Sequence, residues 1–252
     1  LMKEKFIALL KQHFVVIFVT ISGLIASVIL ANSIKYKYKS YENITVTGLA
    51  SKDFESDQIV WRATFSEEGD NMSEAYTALK MDADRVKQYL MKAGLKESEI
   101  EFSSVSTTKN EADILNKDGE KIGTKFTGYS LSQSVTVNSS RLDLVAGISR
   151  SITELIQEDI DIYSESPSYY YNGLSELKVD LLAEAAKDAR NRAKTIASNG
   201  GGSLGAIKRC TMGVFQITGS SSNEGYSYSG AFNTTDRYKT ASITVHIEYG
   251  VD

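Results

Sequence analysis

The chain has 252 residues, with 28 basic and 32 acidic side chains, two His, one Cys and one Pro. One Cys excludes an intramolecular disulfide scaffold, and two His add too few ligands for a zinc site built from Cys and His. A net charge of −4 argues against a protein that binds nucleic acid through its phosphates.

The charge is unevenly distributed along the chain. Residues 1–39 hold six Lys and a single acidic residue, Glu4, so residues 40–252 carry a net charge of −9. We therefore expect two parts: a basic, apolar N-terminal segment over 1–39 and an acidic folded domain over 40–252.

The N-terminal segment contains an uncharged apolar run from Phe14 to Ala31. Eighteen residues in an α-helix span about 27 Å, close to the thickness of the hydrocarbon core of a bilayer. The hydroxyls of Thr20, Ser22 and Ser27 can bond to carbonyls of their own helix, so they are compatible with the membrane interior. The run predicts a transmembrane helix at about 14–31, with the lipid bilayer as its partner.

Two other interpretations of this run stay open. A cleaved signal peptide has a shorter apolar core and small residues before the cut; Ala31 fits the last position, but Ile29 is a poor residue two places earlier. A buried core helix is unusual for a run that is apolar on all faces. We expect an uncleaved signal anchor that places residues 40–252 outside the cytoplasm, although similar Lys numbers flank both ends.

Periodicity predicts the elements of the body in chain order. Strands are expected at 44–51, 58–66, 101–110, 128–138, 160–166, 206–218 and 240–250, and helices at 71–93, 141–157 and 173–199. Asp118-Gly119 predicts a hairpin turn. Helices interspersed among strands indicate an α+β fold, with a mixed β-sheet of about seven to eight strands and helices packed on one face.

The last predicted helix has an alanine at every fourth position, at Ala185, Ala189, Ala193 and Ala197. This spacing places the four methyl groups on one face, which allows close packing on a sheet. Three glycines at 200–202 follow the helix, whereas a phosphate-binding loop precedes one, so they are interpreted as a C-terminal cap and turn.

A Gly/Ser/Tyr/Asn-rich segment at 219–239 is predicted to be a long flexible loop. Structureless stretches of about twenty residues inside compact domains are usually functional or disordered. Tyr226 and Tyr228 lie in this segment, and Tyr169, Tyr170 and Tyr171 lie in an earlier connection. Tyrosine is enriched at protein interfaces, and three in a row cannot all face one core. These five tyrosines are the candidate interface residues.

Four stretches together resemble the SIMPL-domain (DUF541) family, which includes the YggE-type bacterial envelope stress-defence proteins. They are ITVTGLAS at 44–51, AGLKESEIEFSSVST at 93–107, GYSLSQSVTVN at 128–138, and AEAAKDARNRAKTIASNGGGSLGAIKRC at 183–210. The similarity covers roughly residues 43–250. It implies an extracytoplasmic, periplasmic α+β domain that is noncatalytic, often self-associating, and linked to envelope or oxidative stress. The chain departs from the family where Ser56-Asp57 stands in place of Pro-Asp.

No catalytic constellation is visible in the sequence. His13 lies at the membrane edge, and His246 alternates with apolar residues on a strand, which is typical of a surface histidine. Cys210 is expected to be a buried thiol. The carboxylates Asp159 and Asp161 share one side of an extended segment, but solvated acidic faces are common. We predict no catalytic residue, cofactor or metal.

The favoured hypothesis is a non-enzymatic protein anchored in the bacterial cytoplasmic (inner) membrane, whose body forms a homo-oligomer. One alternative is a monomeric envelope module that captures a peptide or small ligand on the 219–239 loop or an open sheet edge. A hydrolase that uses Asp159 and Asp161 is the third and least supported.

Overall fold

A computed structural model of the chain describes residues 2–39, 43–222, 225 and 227–251. Four α-helices lie in this part of the chain: α1 (Met2–Lys39), α2 (Met72–Lys92), α3 (Leu142–Ser151) and α4 (Leu174–Asn199). The described residues also form ten strands: β1 (Asn43–Glu55), β2 (Gln58–Gly69), β3 (Ile100–Phe102), β4 (Ser106–Leu115), β5 (Lys121–Ser139), β6 (Asp161–Ser164), β7 (Ser168–Tyr170), β8 (Leu204–Met212), β9 (Gln216–Gly219) and β10 (Tyr238–Val251). The predicted α+β class is confirmed.

Several predicted boundaries were wrong. The strand expected at 101–110 divides into β3 and β4, and the one expected at 206–218 divides into β8 and β9. In both cases the two shorter strands pair with the same partner, β5 for β3 and β4 and β10 for β8 and β9, and the pairing is interrupted between them, which periodicity does not register. The helix expected to reach residue 157 ends at Ser151 and continues as a 3₁₀-helix over Ile152–Glu158.

Helix α1 is long and apolar enough over Val16–Lys35 to cross a membrane. The side chains described within this span are exposed, unlike those of a core helix. The hydroxyl of Thr20 donates to the carbonyl of Ile17 at 2.8 Å, and that of Ser27 donates to the carbonyl of Gly23 at 2.8 Å. The prediction that these hydroxyls donate hydrogen bonds to carbonyls of their own helix is confirmed. Residue 40, where the body was predicted to begin, lies outside the described residues.

The chain divides into two compact units, and the strands form two sheets where one was expected. Unit 1 comprises residues 1–50, 182–213 and 244–252, and unit 2 comprises residues 51–181 and 214–243. One sheet has the order β1-β10-β8, with β9 also paired to β10; the other has the order β3-β5-β2-β6, with β4 paired to β5 and β7 paired to β2.

In unit 1, helix α4 packs against β1 through the predicted alanine seam. Ala185, Ala189 and Ala193 are fully buried. A Cβ added to Gly48 of β1 would lie 2.7 Å from the Cβ of Ala189, so the glycine and the alanines permit an unusually close approach. The N–H of Gly202 donates to the carbonyl of Ala197 at 2.9 Å, which caps the helix C-terminus and confirms the interpretation of the three glycines.

In unit 2, helices α2 and α3 contact β2 and β5, and the apolar residues of these strands alternate toward them. The expected packing of helices on one face of a sheet is therefore seen in this unit. Its core includes the fully buried side chains of Trp61, Phe65, Leu79 and Ile152. The indole N–H of Trp61 donates to the hydroxyl of Ser164 at 3.0 Å, so the one polar atom of this side chain is satisfied.

Candidate functional site

The five candidate tyrosines lie in different environments. Tyr169 packs against the core of unit 2, and the ring of Tyr171 lies 4.8 Å from that of Phe54, centroid to centroid. Tyr170 is exposed at the end of β7, and Tyr228 is fully exposed. Tyr226 lies outside the described residues. Exposed ring area is therefore available for an interface at Tyr170 and Tyr228, and their role as contact residues stays a prediction.

The segment at 219–239 is held by two buried polar side chains of unit 2. The amide N–H of Gln216 donates to the carbonyl of Ser227 at 2.7 Å, and its oxygen accepts from the N–H of Ala231 at 2.6 Å. The ammonium of Lys239, only 3% exposed, donates to the carbonyls of Tyr169 and Asn233 at 2.5 and 2.7 Å. Burial lowers the pKa of this ammonium. The described part of the segment is therefore tied to unit 2 at both ends.

A two-stranded ribbon, formed by residues 110–115 of β4 and 121–127 of β5, extends beyond the larger sheet. Pairing between β2 and β5 ends at Gly69 and Tyr129, so within the described part of the chain residues 121–127 of β5 pair with β4 alone. Among the described strands, β4 pairs with β5 alone. Both edges of the ribbon are thus open. The Asp118-Gly119 turn at its tip, predicted from the sequence, is confirmed, and Gly119 has a φ of 83°.

The ribbon exposes four large apolar side chains on both strands, Ile114, Leu115, Ile122 and Phe126. An isolated two-stranded hairpin is marginally stable in water, and an open apolar edge is a site for pairing with another chain. The ribbon therefore combines open backbone edges with exposed apolar side chains.

The root of the ribbon is shaped by a β-bulge at Gly128. The register between β4 and β5 shifts there, because Asn110 pairs with Gly128 whereas Glu111 pairs with Phe126. Gly128 has a φ of 131°, and a Cβ at this position would lie 2.9 Å from the carbonyl oxygen of Gly69. Bulges bend a strand and increase its twist, so this glycine determines the direction in which the ribbon leaves the sheet.

A pair of carboxyl groups lies where α2 crosses the end of β2. Asp82 is 5% exposed, and its Oδ2 accepts no hydrogen bond from any donor among the described residues. Burial, a hydrogen bond to Asp82 and the charges of Asp82 and Asp161 together raise the pKa of Glu67 to about 7. A protonated Glu67 can donate to Asp82, whereas two ionised carboxylates can only repel each other.

The histidine and acidic candidates occupy solvent-facing positions. His246 is exposed and its Nδ1 lies 2.8 Å from the hydroxyl of Thr47, as expected of a surface histidine. Asp161 accepts a hydrogen bond from the hydroxyl of Ser66 at 2.8 Å, and Asp159 caps a 3₁₀-helix with a φ of 61°. No group of three or more His, Cys, Asp or Glu able to hold a metal occurs among the described residues.

The prediction of a buried thiol at Cys210 was wrong, because this cysteine is exposed. It lies on β8, whose residues from Ala206 to Met212 are exposed on both faces. Burial of a strand requires cover from a neighbouring layer, and residues 206–212 of β8 stay in solvent.

Two features of unit 2 were missed at the sequence level. A hairpin was expected at Asp118-Gly119, but not that its second arm continues into the strand predicted at 128–138 as the single 19-residue strand β5. Asp82 stands three residues after Leu79 and four before Val86 on the apolar stripe of α2. An acidic residue at a core position of an amphipathic helix is the signal that would have revealed the carboxyl pair.

The chain is thus a two-unit α+β protein that carries an apolar helix long enough to cross a membrane. The family model of the SIMPL domain, described as a protein of unknown function (DUF541), matches residues 44–249. The chain therefore belongs to the SIMPL family, as the resemblance indicated. No curated protein matches it.

Proposed function

We propose that this protein is a non-enzymatic, membrane-anchored protein of the bacterial envelope, whose SIMPL domain self-assembles into a homo-oligomer outside the cytoplasm. The observation that carries the proposal is the open-edged apolar ribbon of β4 and β5. A link to envelope or oxidative stress is part of the proposal through the family resemblance.

The ribbon favours a second copy of the chain as the partner. Its edges offer unpaired backbone groups, and its faces offer Leu115, Ile122 and Phe126, 57%, 65% and 41% exposed. Pairing of two such ribbons would satisfy the backbone groups and bury the apolar side chains in one step. Membrane anchoring adds to this tendency, because copies confined to one surface meet at a raised effective concentration.

Assembly should depend on the exposed apolar side chains of the ribbon. The expected result is that the full chain in mild detergent has the mass of an oligomer at micromolar concentration, and that Ile122→Glu with Phe126→Glu reduces it to the monomer. Two carboxylates in the contact surface oppose assembly, because they would lose water on burial or would repel the same carboxylates of the second copy. Multi-angle light scattering coupled to size-exclusion chromatography measures the mass, with the detergent contribution subtracted.

A matched control is Ile156→Glu, which changes another exposed isoleucine of unit 2, 55% exposed and distant in sequence from the ribbon. It should leave the oligomer intact. A wild-type chain that is a monomer at micromolar concentration would refute the assembly proposal. Tyr170→Ser and Tyr228→Ser, tested in the same way, decide whether the candidate tyrosines belong to the interface.

The anchor should be retained in the mature protein. The apolar span of α1 is 20 residues long, which matches a membrane anchor better than the shorter apolar core of a cleaved signal. We expect the intact mass of protein extracted from membranes to include α1, and alkaline carbonate washing to leave the protein in the membrane fraction. A mature mass that begins after Ala31, with the protein in the soluble fraction, would contradict this prediction.

The alternative function, a monomeric module that captures a peptide or small ligand, is favoured by one observation in unit 1. There the outer edge of β8 has no partner among the described strands and lies beside a cleft lined by Arg190 and Lys194. The two functions are separable, because assembly is proposed for the ribbon of unit 2 and ligand capture for β8 of unit 1.

A further inference from the structure

Unit 1 contains a cleft of about 620 Å³ between the C-terminal half of α4 and the first half of β8. Arg190, Asn191, Lys194 and Ser198 form its helical wall, and the opposite wall runs from Gly202 to Ile207. The buried ring of Tyr249 forms part of its lining. This volume lies within the range of small-ligand and peptide sites.

The cleft is positively charged within an acidic protein. Arg190 and Lys194 are exposed, one helical turn apart, and neither forms an ion pair with any described residue. A groove of about 630 Å³ in unit 2 also contains a basic residue, Arg237. Its charge is not available to a ligand in the same way, because the guanidinium is paired with both Glu55 and Asp143. The charges of the unit 1 cleft are therefore available to an external anion.

The cleft lies beside an open strand edge. β8 pairs with β10 along one side, and along the other side it has no partner among the described strands. The register pairs Tyr249 with Ile207, Ile247 with Cys210 and Val245 with Met212. Residues directly opposite each other share a face, so the exposed Ile207, Cys210 and Met212 lie on the same face of the sheet as Tyr249, which lines the cleft beside α4.

We propose that unit 1 binds an extended peptide bearing acidic side chains, by addition of the peptide as a strand to the open edge of β8. Main-chain hydrogen bonds to β8 supply affinity, as in other cases of strand addition. Alternate side chains of the peptide point toward α4, where acidic groups meet Arg190 and Lys194. β8 is nine residues long, which accommodates a peptide of about six to eight residues.

The test uses the full chain in mild detergent and a fluorescein-labelled, N-acetylated peptide of four Val-Glu repeats. Fluorescence anisotropy should show saturable binding in the micromolar range, and the same peptide with Lys in place of Glu should bind at least about tenfold more weakly. N-methylation of alternate peptide bonds, which removes edge hydrogen bonds, should weaken binding by at least about tenfold. Equal affinity for the methylated peptide would overturn strand addition.

Two lysines on α4 provide matched variants. Lys194→Glu, inside the cleft, should weaken binding of the Val-Glu peptide by about tenfold or more, whereas Lys187→Glu, exposed on the same helix outside the cleft, should have little effect. Equal losses in the two variants would show general electrostatic attraction and would overturn the site. So would complete displacement of the peptide by millimolar citrate, which would identify a site for small anions.

A second copy of the chain is the competing occupant of the edge. Particle mass measured with saturating Val-Glu peptide should equal the mass without it. A fall in mass on peptide addition would show that β8 pairs with another copy, and would overturn a peptide as its partner. This result is independent of the ribbon experiment, because Ile122→Glu with Phe126→Glu leaves β8 unchanged.

Discussion

Replacement of Gly48 with alanine is expected to lower the free energy of unfolding of the protein by about 3 kcal/mol or more. An ideal Cβ at this position would lie 2.7 Å from the Cβ and backbone nitrogen of Ala189, and closer still to the carbonyl oxygen of Ala185. The neighbouring atoms belong to backbone and to a methyl group, so no flexible side chain can move aside. Helix α4 would have to separate from β1. Urea denaturation of the detergent-solubilised chain, followed by far-UV circular dichroism, measures the effect.

Gly123→Ala in β5 is the matched control for Gly48→Ala. It adds the same methyl group to a strand glycine, but the nearest atom, Cδ1 of Ile114, would lie at 3.9 Å. Ordinary van der Waals contact and the reduced entropy of the unfolded chain should leave its stability within about 0.5 kcal/mol of wild type, or slightly above it. If the two substitutions have equal effects, the close packing of α4 on β1 is not present in solution.

The second large effect is expected in the pH dependence of stability, and it originates at Glu67. Its pKa is raised from 4.5 to about 7, because it is partly buried, is hydrogen-bonded to Asp82 and lies close to the charges of Asp82 and Asp161. The folded state therefore binds a proton that the unfolded state releases between these two pH values. The resulting stabilisation is fully present below pH 4.5 and is lost as the pH rises through about 7.

Glu67→Gln isolates this contribution. The amide of glutamine can donate to the Asp82 carboxylate at every pH, so the variant should come closest to wild type at pH 5. At pH 8 it should be more stable by about 1–3 kcal/mol, a range that allows for solvent screening at a partly exposed site. The measurement is urea denaturation of both proteins at several pH values between 5 and 8.

Glu68→Gln removes the neighbouring, exposed carboxyl on the same strand and serves as the control. Its stability should follow that of wild type across the whole pH range. Parallel curves for Glu67→Gln and wild type would show that Glu67 does not hold a proton in the folded protein. Arg85, whose Nη1 lies 3.7 Å from Asp82 Oδ1, remains in place in both variants, so its charge does not enter the comparison.

Some features of the fold were predictable because their causes are local. The apolar run at 14–31 predicted a helix able to cross a membrane, and the hydroxyls within it bond to their own helix as expected. The Asp-Gly turn at 118–119 and the glycine cap after α4 are set by backbone preferences of single residues. The alanine seam of α4 follows from the period of the helix alone.

The candidate site was less predictable, because burial depends on neighbours that are distant in sequence. Cys210 was expected to be buried, yet it lies on an exposed part of β8. Tyr169 and Tyr170 are adjacent in sequence, but β7 turns one toward the core and the other toward solvent. Asp82 and Glu67 are fifteen positions apart in sequence and interact only because α2 packs across the end of β2.

The sequence by itself determined the class of this protein: an apolar helix followed by an acidic α+β body with SIMPL-family motifs. Composition and periodicity suffice for that, since they report which residues must leave water and at what spacing. Tertiary structure alone decided which strands are left without partners or cover. Whether β8 and the β4–β5 ribbon are open depends on how far β2 and α4 extend over them, and no local pattern in β8 or β5 encodes the length of another element.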